Sequence, residues 1–216
     1  MVLRLLLIAA IALPAAVAQD LILLADGDVS DWQYQSFSKI AETQYQTVVS
    51  DNGKSALLAV SDAGASGYTR WQDISLYDTP WLHFSWRVDE ISPNNAEQSR
   101  TGDDFAWRLY FIGRSGLEYR ALTLVYSQTM TAGTSWKSPY ASWFRNLHLH
   151  ALAQHDVNTV GEWQSVTVNV GELWREMFAD DGEIGVVGFM TDADNIDAVM
   201  QTQYGEIRLS AEAAAQ

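Results

Sequence analysis

The strongest constraint on the fold is a two-residue alternation of apolar and polar side chains, which recurs in short runs along the chain. In the run 81–88, for example, Leu, Phe, Trp and Val alternate with Trp, His, Ser and Arg. Successive side chains of an extended strand point to opposite faces, so such a run has one core face and one outer face. Turn-forming residues separate the runs, at 26–27, 51–53, 92–95, 114–116 and 181–182. This pattern is typical of antiparallel β-structure.

The alternation predicts about twelve strands and one short helix. We expect strands at 21–24, 33–40, 44–50, 55–61, 67–73, 81–89, 105–112, 119–126, 143–149, 163–170, 185–190 and 203–210. The helix is expected at 172–178, where four apolar residues form a one-sided stripe. The chain contains no cysteine, so its stability must come from a core rather than from disulfides. We therefore expect one all-β domain over 19–216, a jelly-roll or galactose-binding-like β-sandwich of two antiparallel sheets.

The first 18 residues have the pattern of a secretory signal peptide. Arg4 precedes an apolar run at 5–13, and Ala16 and Ala18 occupy the small-residue positions before a cleavage site. The run is shorter than the roughly 20 apolar residues that a membrane-spanning helix needs. We expect export to the periplasm or the medium, with a mature chain that begins at Gln19 and has no transmembrane segment. The formal net charge of −14, without any run of Lys or Arg, argues against nucleic acid as a partner.

Two predicted strands carry candidate ligand-binding residues on their outer faces. Arg87 lies on this side of one strand, and Asp104, Arg108 and Tyr110 share it in another. If both strands belong to one sheet, these faces combine into a polar cleft in which carboxylate and guanidinium groups, with Asp103, hold a ligand. The alternative is an ion pair between Asp104 and Arg87 that only fixes a loop.

The chain is rich in large aromatic residues, with nine Trp and nine Tyr. Trp86 and Trp107 have apolar neighbours, so we expect them in the core. Other rings are better placed to reach a surface groove: Trp81, Tyr110, Tyr126, Tyr140 and Trp143. Such rings stack on sugar faces, whereas the alternative is that they only fill a thick sandwich.

Two clusters are candidate metal sites. Asp192, Asp194 and Asn195 follow an apolar strand, and alternating oxygen ligands in a tight turn suit a structural Ca²⁺ ion. The alternative is a solvated acidic turn. His148 and His150, with His155 beyond them, offer imidazoles for zinc or copper, but we favour ordinary histidines on an exposed edge or loop.

Several separated motifs occur in order between about residues 71 and 208. They are Trp86-Arg87-Val88, Gly102-Asp103-Asp104, Arg108-Leu109-Tyr110, Ala121-Leu122 with Tyr126, Gly133-Thr134, Ser138-Pro139-Tyr140, the stretch 190–195 and Tyr204-Gly205-Glu206-Ile207. In these motifs the chain resembles a bacterial secreted family known as domain of unknown function 3047. The resemblance implies a galactose-binding-type or jelly-roll sandwich. Ser127 stands where that family commonly has a Trp.

Together these features favour a carbohydrate-binding-type module that engages a glycan or polyol. Its candidate ligand-binding residues are Arg87, Asp103, Asp104, Arg108, Tyr110, Tyr126 and Tyr140. One alternative is a small secreted lyase or hydrolase of an extracellular polymer, and another is an envelope interaction protein. The sequence contains no nucleophile elbow, phosphate loop or dinucleotide-binding motif. Paired-carboxylate sites have no local sequence signature, so the sequence does not decide whether the protein is an enzyme.

Overall fold

A computed structural model describes residues 20–213, so the expected signal peptide lies outside the described residues. The strands are β1 (Leu21–Leu24), β2 (Gln33–Ser36), β3 (Gln44–Val49), β4 (Ser55–Asp62), β5 (Ala65–Ser75), β6 (Trp81–Ile91), β7 (Arg108–Ser115), β8 (Glu118–Ser127), β9 (Ser135–Lys137), β10 (Arg145–Gln154), β11 (Gln164–Asn169), β12 (Glu183–Asp192) and β13 (Val199–Ser210). One α-helix, α1 (Val170–Phe178), and a 3₁₀ turn at Val157–Thr159 complete the described elements.

The strands form two sheets packed face to face. The six-stranded sheet has the order β11-β6-β13-β4-β3, with β1 added to β13, and the seven-stranded sheet has the order β2-β5-β12-β7-β8-β10-β9. The all-β sandwich with one helix is confirmed. Within it, β8 and β10 run parallel, whereas the other strand pairs are antiparallel.

The core lies between the two sheets and uses the apolar face that the alternation predicts. On β6, Leu82, Phe84, Trp86 and Val88 are buried, and they face a matching set on the other sheet: Leu109, Phe111, Leu122, Leu124, Val187 and Phe189. The fully buried Trp107 ring lies 4.9 Å from Phe84 and 5.0 Å from Trp86. The expected core positions of Trp86 and Trp107 are confirmed. Such aromatic pairs add about 0.5–1.5 kcal/mol each beyond the area they bury.

The helix α1 packs against the sandwich through Trp174 and Phe178, both buried. It begins where the side chain of Asn169 accepts a hydrogen bond of 2.9 Å from the amide of Glu172, and it ends at Ala179 in a left-handed conformation. A Cβ on Gly113 would lie 2.4 Å from the carbonyl oxygen of Glu183 and 3.3 Å from the Trp174 ring, so a glycine is needed where β7 meets β12 and the helix. The predicted helix is confirmed, with its start two residues earlier. No helix in 20–213 is both long and apolar enough to span a bilayer.

The sequence pattern misplaces one residue next to β7. Strict alternation along the predicted strand 105–112 would place Phe105 on the same core face as Trp107, but Phe105 lies on the outer side of the seven-stranded sheet with Val125 and Leu149. That expectation is wrong because regular strand pairing starts only at Arg108, so the two-residue alternation does not extend back to Phe105.

Candidate functional site

The outer face of the seven-stranded sheet carries a groove. Its floor consists of cross-strand rows of side chains from β5, β12, β7 and β8. One row contains Trp71, Val186, Ile112 and Ala121, the next contains Thr69, Gly188, Tyr110 and Thr123, and the third contains Gly67, Met190, Arg108 and Val125. These residues lie opposite the core-facing Leu109, Phe111 and Phe189. We call the whole feature the sheet groove.

Glycines shape the floor of the sheet groove where backbones and rings come close. A Cβ on Gly188 would lie 3.4 Å from Cδ2 of Tyr110, so the Tyr110 ring lies across this glycine. A Cβ on Gly67 would lie 2.4 Å from the carbonyl oxygen of Phe189, which real side chains do not tolerate. The small residues therefore deepen the middle of the sheet face and let Tyr110 lie low in the floor.

The sheet groove consists of three connected depressions that follow β12 and β7. The first, of about 450 Å³, lies at the Asp192 end, and the middle one, of about 510 Å³, shares Phe37, Tyr110, Ile112 and Met190 with it. The third, of about 350 Å³, shares Trp71, Ile112 and Val186 with the middle one and reaches Glu183. The length of β12 sets the length of the groove at roughly 30 Å, from about 3.4 Å per residue. An open groove of this length suits an extended molecule.

Exposed aromatic rings line the sheet groove at both ends. Trp71 is 73% exposed and lines the middle and third depressions. Tyr119 lines the third depression, and the Arg114 guanidinium lies over its ring at 4.6 Å from the centroid. At the other end, Tyr140 and Phe37 are 37% and 45% exposed. The two ends thus offer apolar, planar surfaces to solvent, which is uncommon for a face without a binding role.

Arg108 forms the charged floor of the first depression. It is only 4% exposed. Its Nε donates to Oδ1 of Asp192 at 3.0 Å, its Nη2 donates to Oδ2 of the same carboxylate, and its Nη1 donates to Oδ2 of Asp103 at 3.2 Å. The guanidinium is therefore held rigidly by two carboxylates. Asp103 has one remaining oxygen, Oδ1, which is buried and has no hydrogen-bond partner among the described residues.

Asp104 has a different role from the one its sequence position suggests. Its Oδ2 accepts hydrogen bonds from the amides of Asn195 and Ile196 at 2.9 and 2.8 Å, and its Oδ1 accepts one from Nδ2 of Asn195 at 2.7 Å. The fully buried Asp104 thus fixes the turn after β12. This turn places Asp194 at the edge of the sheet groove.

Burial raises the pKa of three carboxyl groups at this end. The pKa of Asp192 lies well above its usual range because of burial, although the Arg108 guanidinium opposes that shift. Burial likewise raises the pKa of Asp103, and burial followed by the charge of Asp104 raises the pKa of Asp194. Four carboxylates around one guanidinium leave this end short of positive charge.

The predicted calcium ligands are only partly brought together. Oxygen atoms of Asp104, Asp192 and Asp194 all lie within 4.8 Å of one another. Asn195 instead turns its amide nitrogen toward Asp104, and both oxygens of Asp192 accept from Arg108. The oxygen cluster therefore contains Asp104 in place of Asn195, and a guanidinium already binds it.

A buried glutamate that the sequence analysis did not single out holds the segment after β8. Glu97 is 1% exposed, and its carboxylate accepts from the Ser127 hydroxyl at 2.5 Å, the Gln128 amide at 2.6 Å and the Thr129 hydroxyl at 2.7 Å. The resemblance described above implies a Trp at this position, and this chain has Ser127 there. Here a hydroxyl bonded to a carboxylate takes the place of a ring.

Besides the buried Asp104, two further expected ligand-binding residues lie outside the lining of the sheet groove. Arg87 belongs to β6 in the other sheet and pairs with Asp51 and Asp89, each at 2.5 Å. The expectation that it pairs with Asp104, or shares a face with Arg108, is wrong. Tyr126 is 1% exposed in the core, and its hydroxyl lies 3.1 Å from Nδ1 of His155. Its ring cannot reach a ligand in the groove.

The predicted histidine cluster is dispersed. His148 lies near Asn146 and stacks edge-on against Phe178, His150 bonds to Ser135 Oγ at 2.7 Å, and His155 contacts Tyr126. Each imidazole has its own partner, and the grouping of metal-ligand side chains in the described chain lies at Asp104, Asp192 and Asp194 instead.

The structure places four of the seven candidate residues, Asp103, Arg108, Tyr110 and Tyr140, together in the first depression of the sheet groove, and their binding role stays a prediction. It adds residues that the sequence analysis left out: Phe37, Trp71, Ile112, Tyr119 and Met190. A signal for Trp71 existed, since the run 67–73 places it on the same strand face as Thr69. What was missing was the identity of the neighbouring strands.

The fold and the groove together define a class, the all-β sandwich with an open cleft across the outer face of one sheet. The chain belongs to the family described as "Protein of unknown function (DUF3047)", whose model matches residues 30–208. The resemblance in the sequence motifs is thereby confirmed. A comparison with curated proteins finds no match.

Among solved structures, the chain is similar to several β-sandwiches. One is a family 30 carbohydrate-binding module of a cellulosomal cellulase of Clostridium thermocellum, at TM-score 0.49 and 12% identity, covering 90% of this chain and 99% of the module. A second is the xyloglucanase domain of NopAA from Sinorhizobium fredii, in complex with cellobiose. Its TM-score is 0.47 and its sequence identity 10%, and the match covers 92% of this chain and 100% of that domain. A third is a Caldicellulosiruptor saccharolyticus carbohydrate-binding module in complex with mannohexaose. Its TM-score is 0.45 and its sequence identity 12%, and the match covers 91% of this chain and 100% of that module. These values describe overall shape and assign no role to any residue of this chain.

Proposed function

We propose that this protein is a carbohydrate-binding-type module that holds one extended glycan in the sheet groove. The observation that carries the proposal is the combination of exposed rings at both ends of a roughly 30 Å groove with polar groups between them. Trp71 and Tyr119 lie at one end, and Tyr140 lies at the other. Rings of this kind pack on the C–H faces of sugars.

The polar groups of the floor supply the second half of the recognition. Tyr110 and Thr123 line the first depression with Asp103 and Asp194, and Tyr110 also lines the middle one. The Tyr110 phenol is neutral, as burial raises its pKa still further above the ordinary 10, and it can donate to or accept from a sugar hydroxyl. Because these groups project from paired strands, they are fixed before a ligand arrives, which reduces the entropy cost of binding.

The experiment is to screen the mature chain against immobilised polysaccharides and then compare two alanine variants on those that it binds. We expect Trp71→Ala to weaken binding by at least about 2 kcal/mol, or roughly thirtyfold. Tyr77→Ala is the matched control, since Tyr77 is 70% exposed but lies outside the groove lining. Equal binding by both variants would contradict the proposal. Release of new reducing or unsaturated sugar ends from a bound polysaccharide would favour the hydrolase or lyase hypothesis instead.

We also propose that the chain reaches its ligand after export. The signal-peptide pattern at 1–18 supports this, and it predicts a mature protein that begins at Gln19. Intact mass of the protein recovered from the periplasm or the medium tests it. A full-length form that starts at Met1 and stays in the cytoplasm would contradict export.

A further inference from the structure

The two ends of the sheet groove are built from different parts of the chain. Every residue in the lining of the third depression belongs to a strand, either β5, β7, β8 or β12. The first depression is lined in addition by four segments that connect strands, at 37–40, 103, 138–140 and 194–195. The lining of the third depression is therefore sheet surface, whereas the first depression has walls as well as a floor.

Where β12 ends, the wall of the first depression joins the turn after β12 to the segment before β7. The amides of Asn195 and Ile196 donate to Oδ2 of Asp104 at 2.9 and 2.8 Å. Nδ2 of Asn94 donates to the carbonyl oxygens of Gly102 and Asp104 at 2.8 and 3.1 Å. Because Asn94 and Asp104 are both buried, these bonds fix this part of the wall to the body of the protein.

The wall continues from there to the segment between β9 and β10. Nε of Arg100 donates to the carbonyl oxygen of Pro139 at 3.1 Å, and its guanidinium lies 5.1 Å from the centroid of the Tyr140 ring. The amide of Ser138 donates to the carbonyl oxygen of Leu147 in β10 at 2.9 Å. The segment that carries Tyr140 is thus attached both to the segment before β7 and to the sheet.

The segment between β2 and β3, which contains Phe37, lines the opposite side of the first depression. The amide of Ala65 donates to the carbonyl oxygen of Ala41 in this segment at 2.8 Å. The amide of Ala193, in the turn after β12, donates to the carbonyl oxygen of Gly64 at 2.9 Å. Backbone hydrogen bonds therefore link this side to the same turn, and joined walls surround the first depression on three sides.

We propose that the sheet groove recognises the end of a glycan chain, with the terminal sugar in the first depression and the next sugars over Tyr110 and Trp71. This inference rests on the proposed function of the groove. A glycan bound by its interior must leave the groove at both ends, and the joined walls obstruct one of them. The first depression, of about 450 Å³, lies within the roughly 300–1,000 Å³ of small-molecule sites, and the partly exposed Tyr140 ring offers a terminal sugar an apolar face.

The experiment measures how much protein a given mass of polysaccharide binds. The probes are linear amylose, mixed-linkage β-glucan and linear β-mannan, each used intact and after partial hydrolysis to one tenth of its mean length, with fragments still longer than the groove. Shortening raises the number of chain ends tenfold at constant mass but leaves the number of interior sugars almost unchanged. For a polymer that binds, calorimetry should therefore give a tenfold higher molar capacity for the mature chain after shortening.

Two results of this measurement would count against the inference, and they differ in what they leave standing. Equal capacity per mass before and after shortening would overturn the chain-end inference and leave the groove as a site for chain interiors. Binding of no polymer in the screen, these three included, would overturn the proposed function as well.

Reduction of the shortened polymer with borohydride shows which end is bound, because it opens the ring of the terminal sugar at the reducing end alone. Lost binding after reduction would support a chain-end site for the reducing end. Retained binding, together with the tenfold rise in capacity, would support one for the non-reducing end.

Tyr140→Ala tests whether the first depression holds the bound end, with Tyr77→Ala as the matched control. Tyr77 is 70% exposed and lies outside the groove lining. We expect Tyr140→Ala to weaken binding of the shortened polymer at least tenfold and Tyr77→Ala to leave it unchanged. Equal binding by both variants would place the bound end elsewhere and overturn the inference. The capacity measurement needs no variant, so it decides the chain-end question even if Tyr140→Ala misfolds.

Discussion

Arg108 at the start of β7 and Asp192 at the end of β12 form a two-point ion pair, with Nε and Nη2 of the guanidinium donating to the two oxygens of one carboxylate. The residues are 84 positions apart in the chain, yet they lie on neighbouring strands. Oδ1 of Asp192 also accepts from the amide of Phe105 at 3.2 Å. The pair therefore joins the segment before β7 to the turn after β12, and so fixes the first depression of the sheet groove.

This geometry predicts that Arg108→Ala destabilises the protein strongly. Its loss leaves Asp192 as a buried, unpaired carboxylate, at a cost of about 3–5 kcal/mol. The double variant Arg108→Ala, Asp192→Asn should recover part of that loss, because it removes the stranded charge. Urea unfolding of each protein measures both quantities.

The matched control for that prediction is Arg114→Ala. Arg114 is exposed and contacts the Tyr119 ring, so its removal should change stability by about 0.5 kcal/mol or less. The sequence predicts that Arg108 lies on an outer strand face and holds a ligand, and a residue of that kind would contribute little to stability. An unchanged midpoint for Arg108→Ala, together with lost binding, would restore that interpretation.

Calcium at Asp192, Asp194 and Asn195 stays a prediction of the sequence, and the structure supplies a competing expectation. Since Arg108 already provides the counter-charge to Asp192, we expect a chelator to leave the melting temperature unchanged. A ligand that binds the folded state alone would instead raise stability by mass action. A lower melting temperature in chelator, reversed by millimolar Ca²⁺, would support the calcium site, and metal analysis after unfolding would detect a trapped ion.

The pH dependence of stability should include a contribution from His83 on the outer face of the six-stranded sheet. Its imidazole bonds to Thr167 at 3.0 Å and to Ser210 at 2.7 Å, and burial, followed by the charge of Arg208, lowers its pKa below the ordinary 6.5. The unfolded chain then binds a proton more readily than the folded one. Stability from this group is therefore full above pH 6.5 and declines as the pH falls through 6.5 toward the folded-state pKa.

The variant His83→Gln tests that contribution, because its side chain keeps hydrogen-bonding groups but does not titrate. Relative to the unmodified protein, its free energy of unfolding should fall less steeply on acidification below pH 6.5. Parallel curves for the two proteins would assign the acid sensitivity to other groups.

The sequence predicts the faces of individual strands well and their neighbours poorly. The alternation in β6 and β7 correctly assigns Phe84 and Phe111 to the core face of each strand. It also correctly assigns Arg87 and Arg108 to the opposite face, although Arg108 is buried there. It does not reveal that β6 and β7 belong to different sheets, because period-two patterning carries no information about which strands pair.

The same limit explains the candidate site. The sequence motifs identify Asp103, Arg108 and Tyr140 as ligand-binding candidates, and all three line the sheet groove. They miss Trp71, which enters the groove only because β5 pairs with β12 over a long sequence separation. They also credit Tyr126 with a binding role, whereas its strand face points into the core.

The position of the last two strands has a consequence for how the chain acquires its structure. β12 lies between β5 and β7 in one sheet, and β13 lies between β4 and β6 in the other. Met190 thus pairs with Gly67, and Tyr204 with Leu57, partners that are synthesised long before them. Contacts so distant in sequence are slow to form, and until they form each sheet has an interior gap.

A nascent chain that lacks residues after about 180 would therefore have unpaired edges on β4, β5, β6 and β7, the kind of edge that templates aggregation. Complete pairing of both sheets therefore has to wait until β12 and β13 are available. A shortened form without β13 would separate β4 from β6 and expose the apolar core between the sheets. It should accumulate as insoluble material rather than as a smaller folded domain.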